Sequence, residues 1–255
     1  MINLLRAEWI KLRTVRMNWV LGNIAIVFPL VVTLLTAYFR GDDTGFNGLN
    51  TQDLVSTLTG TTVVCSLLCG VIAAAAITSE FGFGTIRPTF AATPRRLRVL
   101  VAKGVVTLLT TTAIGATVIA IGWFGGSSIA RSRGASIELS TVDTAVPAMV
   151  GAIVLVAVMS LAGYGLGLLM RSTPAAVATL IVWPLIAEGL IGGLLGLITG
   201  KKNLSSWMPF QAGLRMVFVD RFAEGPSRLA GGAVFAGVAL LLVALGSLAV
   251  SRRDA

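Results

Sequence analysis

The chain has 255 residues, of which 55% are hydrophobic and 12% are charged, and its mean hydropathy is +0.89. This composition is far from that of a soluble protein and predicts that most of the chain lies in lipid. The net charge of +9 sits between apolar stretches and is not interleaved with aromatic residues, so it indicates orientation in a membrane and not nucleic-acid binding.

Residues 1–17 are predicted to form an amphipathic helix. Leu5, Trp9 and Leu12 follow helical spacing, and the basic residues lie mostly on the other face. Such helices lie along the membrane surface, with tryptophan at the headgroup level and Lys and Arg toward phosphate. The alternative is a solvated tail, which would expose the apolar stripe to water without any stabilising contact. The membrane-surface residues are Trp9, Lys11, Arg13 and Arg16.

Six apolar stretches follow, and each reaches the roughly 20 residues that a helix needs to cross the hydrocarbon core. We therefore predict an all-α fold with one transmembrane domain over residues 1–255. The predicted spans are 18–39, 54–77, 104–124, 145–170, 175–199 and 231–250. The segment 200–230 is apolar but is broken by Pro209 and Gly213, which predicts two short outer helices that re-enter the membrane without crossing it.

The basic residues are distributed unequally between the two sides of the predicted bundle. Twelve Lys and Arg lie on the side of the N-terminus and the loop 78–103, against eight on the other side. The first side has three acidic residues, and the other side has seven. Because Lys and Arg accumulate on the cytoplasmic side, we expect both termini and the loop 78–103 to be cytoplasmic. The chain is thus expected to be a multi-pass protein of the plasma membrane.

Catalytic centres are not expected in this chain. It contains no histidine, which excludes intramembrane metalloproteases and rhomboid-type serine proteases. No G-x-x-x-x-G-K-[ST] motif is present, so the chain cannot hydrolyse ATP alone. Cys65 and Cys69 share a helix face but are too few ligands for a metal site, and we expect no metal and no bound cofactor.

Glu188 is the one acidic residue within a predicted span. An ionisable group in hydrocarbon normally faces a bundle interior, a cavity or a partner. Glu188 lies past the middle of its span, toward the outer side. A structural hydrogen bond to the outer segment and a role in a translocation path or permease interface are therefore equally open. Small residues such as Gly163, Gly165 and Gly167 indicate close helix packing.

The loop 78–103 is more than a basic linker. Glu80 ends the second span, glycines follow, and a short apolar run at 90–92 precedes Pro94 and three arginines. This order predicts a short helix along the membrane surface that docks a soluble partner. The alternative for the arginines is anchoring to lipid phosphate.

Four short sequence features follow one another along the chain. They are a basic first helix with Glu8 and Trp9, the segment Ser79-Glu-Phe-Gly-Phe-Gly-Thr-Ile-Arg87, Thr93-Pro-Arg-Arg96 followed by Lys103, and Trp207-Met-Pro-Phe210 before the last span. In this order they resemble the membrane-spanning subunits of bacterial ABC transporters, specifically the exporter-type ABC type 2 permeases.

The resemblance implies a permease of the bacterial inner membrane that pairs with a second copy or a paralogue and with two separate ATPase subunits, which would hold ATP and Mg²⁺. The first helix would be the elbow helix, and the loop 78–103 would contain the coupling helix. The implied ATPase-docking residues are Glu80, Gly84, Thr85, Arg87, Pro94, Arg95 and Arg96.

The resemblance also implies an amphipathic cargo, namely a drug, a peptide antibiotic or a lipid. The rival hypothesis is a non-transporting sensor or immunity protein that docks an ATPase. A proton-coupled carrier is disfavoured, because it would need more membrane carboxylates than Glu188.

Overall fold

The structure is a computed structural model, and it describes residues 2–41, 48–85, 96–200, 202–219 and 225–253. Every regular element in these ranges is helical, which confirms the all-α prediction. The α-helices are α1 (Ile2–Thr14), α2 (Arg16–Arg40), α3 (Thr51–Gly82), α4 (Arg96–Ser132), α5 (Ala145–Met170), α6 (Thr173–Val182), α7 (Glu188–Thr199), α8 (Pro209–Leu214) and α9 (Arg228–Arg253). Short 3₁₀ helices occupy Leu139–Thr141 and Lys202–Trp207.

Six helical units are long and apolar enough to cross a membrane, as predicted. They are α2, α3, α4, α5, the continuous unit Thr173–Thr199 and α9. Several of them extend beyond the predicted spans, and α4 does so most. The apolar run marks only the part of a helix that lies in hydrocarbon, whereas the backbone hydrogen bonds of the helix continue through the polar flanks.

A π turn over Trp183–Ala187 joins α6 to α7. Pro184 has no backbone N–H, so it cannot make the usual helical hydrogen bond. The N–H of Glu188 instead donates to the carbonyl of Trp183, five residues earlier, which inserts one extra residue into the turn. The unit Thr173–Thr199 therefore changes register halfway along its length.

Helices α3 and α5 form the centre of the bundle. Their apolar windows are 56% and 61% buried, against 17–33% for the other four units. Gly163 lies directly on the backbone of Gly70 in α3, and Gly165 approaches the backbone of α9 at Leu242 and Val243. The close packing predicted from the small residues of α5 is confirmed at these positions.

The bundle has two distinct ends. At the first, which we call the α1 end, α1 lies beside the end of α3 and the start of α4, and Arg171 donates to the carbonyl of Ala249 in α9. At the opposite end, Arg40 pairs with Asp53, and the hydroxyl of Thr144 donates to the carbonyl of Val219.

Candidate functional site

Four charged side chains from three helices meet at the α1 end. Lys103 of α4 donates to Glu80 Oε1 of α3 at 2.8 Å and also to Glu8 Oε2 of α1. Lys11 of α1 donates to Glu8 Oε1 at 2.9 Å and to Glu80 Oε1 at 3.0 Å. We call these residues, Glu8, Lys11, Glu80 and Lys103, the ion cluster.

Three members of the ion cluster are almost fully buried, whereas the side chain of Lys11 is 44% exposed. Burial raises the pKa of the Glu8 carboxyl, but the ammonium groups of Lys103 and Lys11 more than offset this and hold the pKa below its ordinary value. Burial lowers the pKa of Lys11, whereas its hydrogen bonds to Glu8 and Glu80 raise that pKa above its ordinary value. Glu8 and Lys11 are therefore both charged at neutral pH.

The local sequence explains how the ion cluster forms. Glu8 and Lys11 are three residues apart, which places them on the same face of α1. Glu80 lies in the last turn of α3, and Lys103 lies two turns into α4. These two helices flank the loop 83–95, so the ion cluster binds α1 to the helix before the loop and to the helix after it.

The predicted docking residues are only partly described by the structure. Glu80 belongs to the ion cluster, whereas Gly84 and Thr85 are exposed just beyond α3, and Gly84 has a φ of +68° that favours glycine. Arg87, Pro94 and Arg95 lie outside the described residues, and of Arg96 only the backbone is described, as the first residue of α4. A docking role for these residues stays a prediction.

The predicted membrane-surface residues have different surroundings. Trp9, Arg13 and Arg16 are exposed, and the indole N–H of Trp19 donates to the carbonyl of Arg13. Lys11 instead turns toward the ion cluster. Contact of these side chains with lipid remains a prediction.

Sequence reasoning missed the pairing of Glu8 with Lys103. Both residues belong to the motifs that carry the family resemblance, but neither was predicted to be a site residue. The available signal was that each is a charged residue beside an apolar stretch, where a buried partner of opposite sign is needed. A contact between residues 95 positions apart cannot be located from that signal.

Glu188 is fully buried, and its carboxylate accepts three hydrogen bonds. The backbone N–H groups of Phe210 and Gln211 donate at 2.9 Å each, and the indole N–H of Trp183 donates at 3.0 Å. Both backbone donors belong to the first turn of α8, whose preceding residue, Met208, has no capping oxygen. The predicted hydrogen bond between Glu188 and the segment 200–230 is therefore present, and a role of Glu188 in a translocation path or permease interface stays a prediction.

The described ranges hold no group of three or more His, Cys, Asp or Glu residues that could bind a metal ion. Cys65 and Cys69 are free thiols buried in α3.

The chain matches the sequence profile of a known protein family. The profile of the ABC-2 family transporter proteins matches residues 4–185, which include α1 to α6 and the whole ion cluster but end before Glu188. A search of curated proteins finds no match. The match covers well over half of the chain, and the six membrane-crossing units agree with it. The chain therefore belongs to the ABC-2 transporter family, as a multi-pass permease component of the membrane.

Proposed function

We propose that this chain is the permease subunit of an ATP-driven exporter, with ATP and Mg²⁺ bound by separate ATPase subunits. The family match carries the proposal, because ABC-2 membrane components generally pair with ATPase subunits. In this proposal two permease chains, identical or paralogous, form the path for the cargo, and ATP binding on the partner subunits moves the spans between inward-open and outward-open states.

The ion cluster supports coupling through the loop 83–95. Helices α3 and α4 enter and leave this loop, and Glu80 and Lys103 join them at a distance of 2.8 Å. Glu8 binds α1 to the same point. A force applied to the loop by a docked ATPase would therefore move α1, α3 and α4 together.

An apolar cavity between α5, α6, α8 and α9 supports an amphipathic cargo. It has a volume of about 250 Å³ and is lined by residues of α5, α6, α8 and α9, including Met159, Phe210 and Phe235, with Glu188 in its wall. A cavity with this lining favours ligands with a large apolar part. Drugs, peptide antibiotics and lipids share that property.

The docking proposal is tested by reversing two charges of the loop. We expect Arg95→Glu combined with Arg96→Glu to abolish co-purification of the ATPase subunit, because arginines that pair with partner carboxylates would become repulsive. Arg252→Glu combined with Arg253→Glu is the matched control, since it makes the same charge change at the same end. If the loop variant retains the ATPase as well as the control does, the docking loop is misassigned.

Transport itself is tested with the reconstituted complex of permease and ATPase. We expect amphipathic cargos to stimulate ATP hydrolysis and to accumulate in inverted vesicles. A complex whose ATPase activity ignores every such cargo would instead support the non-transporting sensor or immunity protein.

A further inference from the structure

A cavity of about 390 Å³ lies against the ion cluster. It is bordered by α1, α2, α3 and α4 and reaches the exposed residues Phe83 and Thr85 at the α1 end. Glu8, Lys11, Glu80 and Lys103 all contribute to its wall, together with Thr107. The cavity is therefore a charged recess at the end of an otherwise apolar bundle.

Two of the residues that line the cavity each have a buried polar atom without a hydrogen-bond partner in the described part of the chain. The first is Glu80 Oε2, in a side chain that is only 10% exposed, although Oε1 of the same carboxylate accepts from both lysines. The second is the hydroxyl of Thr107, a residue that is 1% exposed. A buried polar atom without a partner destabilises the fold unless a ligand or water pairs with it.

The orientation of Thr107 differs from that of its neighbours in α4. The hydroxyls of Thr110, Thr111 and Thr117 each donate to the carbonyl four residues earlier, which is the usual arrangement in a helix. The Thr107 hydroxyl does not use this local acceptor. Its hydrogen-bonding capacity is therefore not used by α4 itself.

The free carboxylate oxygen determines the chemistry of the ligand. An ionised carboxylate only accepts hydrogen bonds, so its partner must be a donor. The two glutamates and two lysines of the ion cluster balance in charge, so the recess carries no excess positive charge that would attract an anion. A primary ammonium group fits best. It has three N–H donors, enough for both Glu80 Oε2 and the Thr107 hydroxyl, and hydrogen bonds between two ions are stronger than those between neutral groups.

A second, apolar groove adjoins the charged recess. It has a volume of about 220 Å³, shares Leu12 and Asn18 with the recess, and is lined further by Trp9, Trp19, Ile26, Ile72 and Ile114. Trp9 and Trp19 are both about half exposed, as tryptophans are at the membrane–water interface. An alkyl chain lying in this groove would place its polar head in the recess.

We propose that the recess and the groove together bind an amphipathic molecule with a primary ammonium head, the head at Glu80 and Thr107 and the chain between Trp9 and Trp19. Two kinds of molecule carry such a head, namely a free amphipathic amine and phosphatidylethanolamine. The site concerns binding alone and does not depend on transport. Its failure would leave the proposed exporter function untouched, because the test below uses no ATPase.

The test uses the purified full chain in phosphatidylcholine nanodiscs and dodecylamine with a photoreactive diazirine at the end of its chain. We expect saturable cross-linking to the peptides that carry Trp9 to Ile26. Photoreactive dodecanol and dodecyltrimethylammonium should cross-link far less, because the first has no charge and the second has no N–H donor. Equal labelling by all three probes, or labelling that does not saturate, would overturn the proposal.

Thr107→Val is the decisive variant. It removes an unpaired buried hydroxyl without breaking any internal hydrogen bond, so the fold should be as stable as that of the wild type or more stable. We expect the amine to bind about tenfold more weakly, as loss of a hydrogen bond to an ion predicts. Thr117→Val is the control, because the Thr117 hydroxyl donates to the carbonyl of Ala113 and the residue lines neither the recess nor the groove; binding should stay within about twofold. Unchanged amine binding in Thr107→Val would overturn the placement of the head.

The source of the ammonium group is identified by changing the lipid. If adding phosphatidylethanolamine to the nanodiscs reduces cross-linking of dodecylamine, the site is a lipid-headgroup site. If phosphatidylethanolamine does not compete, the ammonium site is selective for free amphipathic amines. Both results support a site for primary ammonium.

Discussion

Lys103 is the residue on which the ion cluster depends most. It is buried and bonds to both carboxylates, whereas Lys11 is 44% exposed and can be replaced by water. Without Lys103, Glu8 and Glu80 would be two buried negative charges at the same place, held only by Lys11. An uncompensated buried charge is strongly destabilising. Removal of the Lys103 side chain should therefore abolish most of the stabilisation that the ion cluster gives to the fold.

We expect Lys103→Met to reduce the free energy of unfolding by about 3–5 kcal/mol, the range found when one partner of a buried ion pair is removed. Lys11→Met should have an effect of only about 0–1 kcal/mol, because exposed pairs contribute little. Thermal unfolding in detergent measures both. Adding Glu8→Gln to Lys103→Met should restore part of the stability, because it removes one of the two uncompensated charges. A Lys103→Met protein as stable as the wild type would show that the cluster does not hold α1 in place.

Glu188 joins the unit Thr173–Thr199 to α8. Its carboxylate holds two adjacent N–H groups of α8, and a neutral amide has only one oxygen to offer them. We expect Glu188→Gln to reduce the free energy of unfolding by about 1.5–3 kcal/mol, the usual value for hydrogen bonds to charged groups. Trp183→Phe is the control. It removes only the half-exposed indole donor and should reduce the free energy of unfolding by about 1 kcal/mol.

Export measurements with Glu188→Gln separate the structural role from a functional one. If the variant is less stable but exports at the wild-type rate once folded, the residue is structural. If export is lost while stability is unchanged, the structural interpretation is wrong and the translocation-path role is favoured.

At the scale of helices, the contact between α3 and α5 depends on backbone proximity. A Cβ atom added at Gly163 would collide with the backbone of Gly70, which cannot move aside as a flexible side chain can. We expect Gly163→Ala to destabilise the protein by about 1–3 kcal/mol, the usual range for overpacking. Gly189→Ala is the matched control, because open space surrounds that position, and alanine there should be neutral or should add up to about 1 kcal/mol through helix propensity. Equal melting temperatures for the two variants would contradict the packing described here.

The helices themselves were largely predictable. The predicted span 145–170 coincides with α5, because polar residues and Pro174 follow it directly. The predicted span 104–124 falls well inside α4, because charged residues such as Arg98 and Arg131 continue a helix beyond the hydrocarbon. Pro184 indicates a local break in the helix, but the sequence does not show that the chain would gain a residue there as a π turn.

The candidate site was less predictable than the helices. Glu80 and Lys103 could be recognised as charged residues at the ends of apolar spans, but their shared partner Glu8 lies in a separate helix. In the sequence, nothing distinguishes Thr107 from the other threonines of α4. Its free orientation depends on the packing of four helices around the recess, and that packing has no local signature.

At the scale of the whole molecule, burial is uneven. The unit Thr173–Thr199 is the least buried span, and α7 exposes Leu190, Leu194 and Leu197 in succession. A helix with such a face must be covered by lipid or by another protein. The second permease copy of the proposed exporter would have room to pack here without disturbing the α3–α5 centre.

The orientation of the bundle is the whole-molecule property that the docking proposal requires. The order of the spans in the sequence predicts twelve Lys and Arg on the side of the termini and eight on the other side, so we expect the α1 end in the cytoplasm. The only two cysteines, Cys65 and Cys69, are 0% exposed and should not react with a water-soluble maleimide. Single cysteines can therefore be introduced at the exposed positions Ser140, at the opposite end, and Ser251, at the α1 end.

In intact cells, a membrane-impermeant maleimide should label Ser140→Cys but not Ser251→Cys, and permeabilisation should make Ser251→Cys reactive. The wild-type chain, with its buried thiols, is the control for background labelling. The reverse pattern would place the ion cluster and the loop 83–95 outside the cell. A cytoplasmic ATPase could not reach the loop there, so that result would remove the coupling proposal while leaving the helical fold and the family assignment as they are.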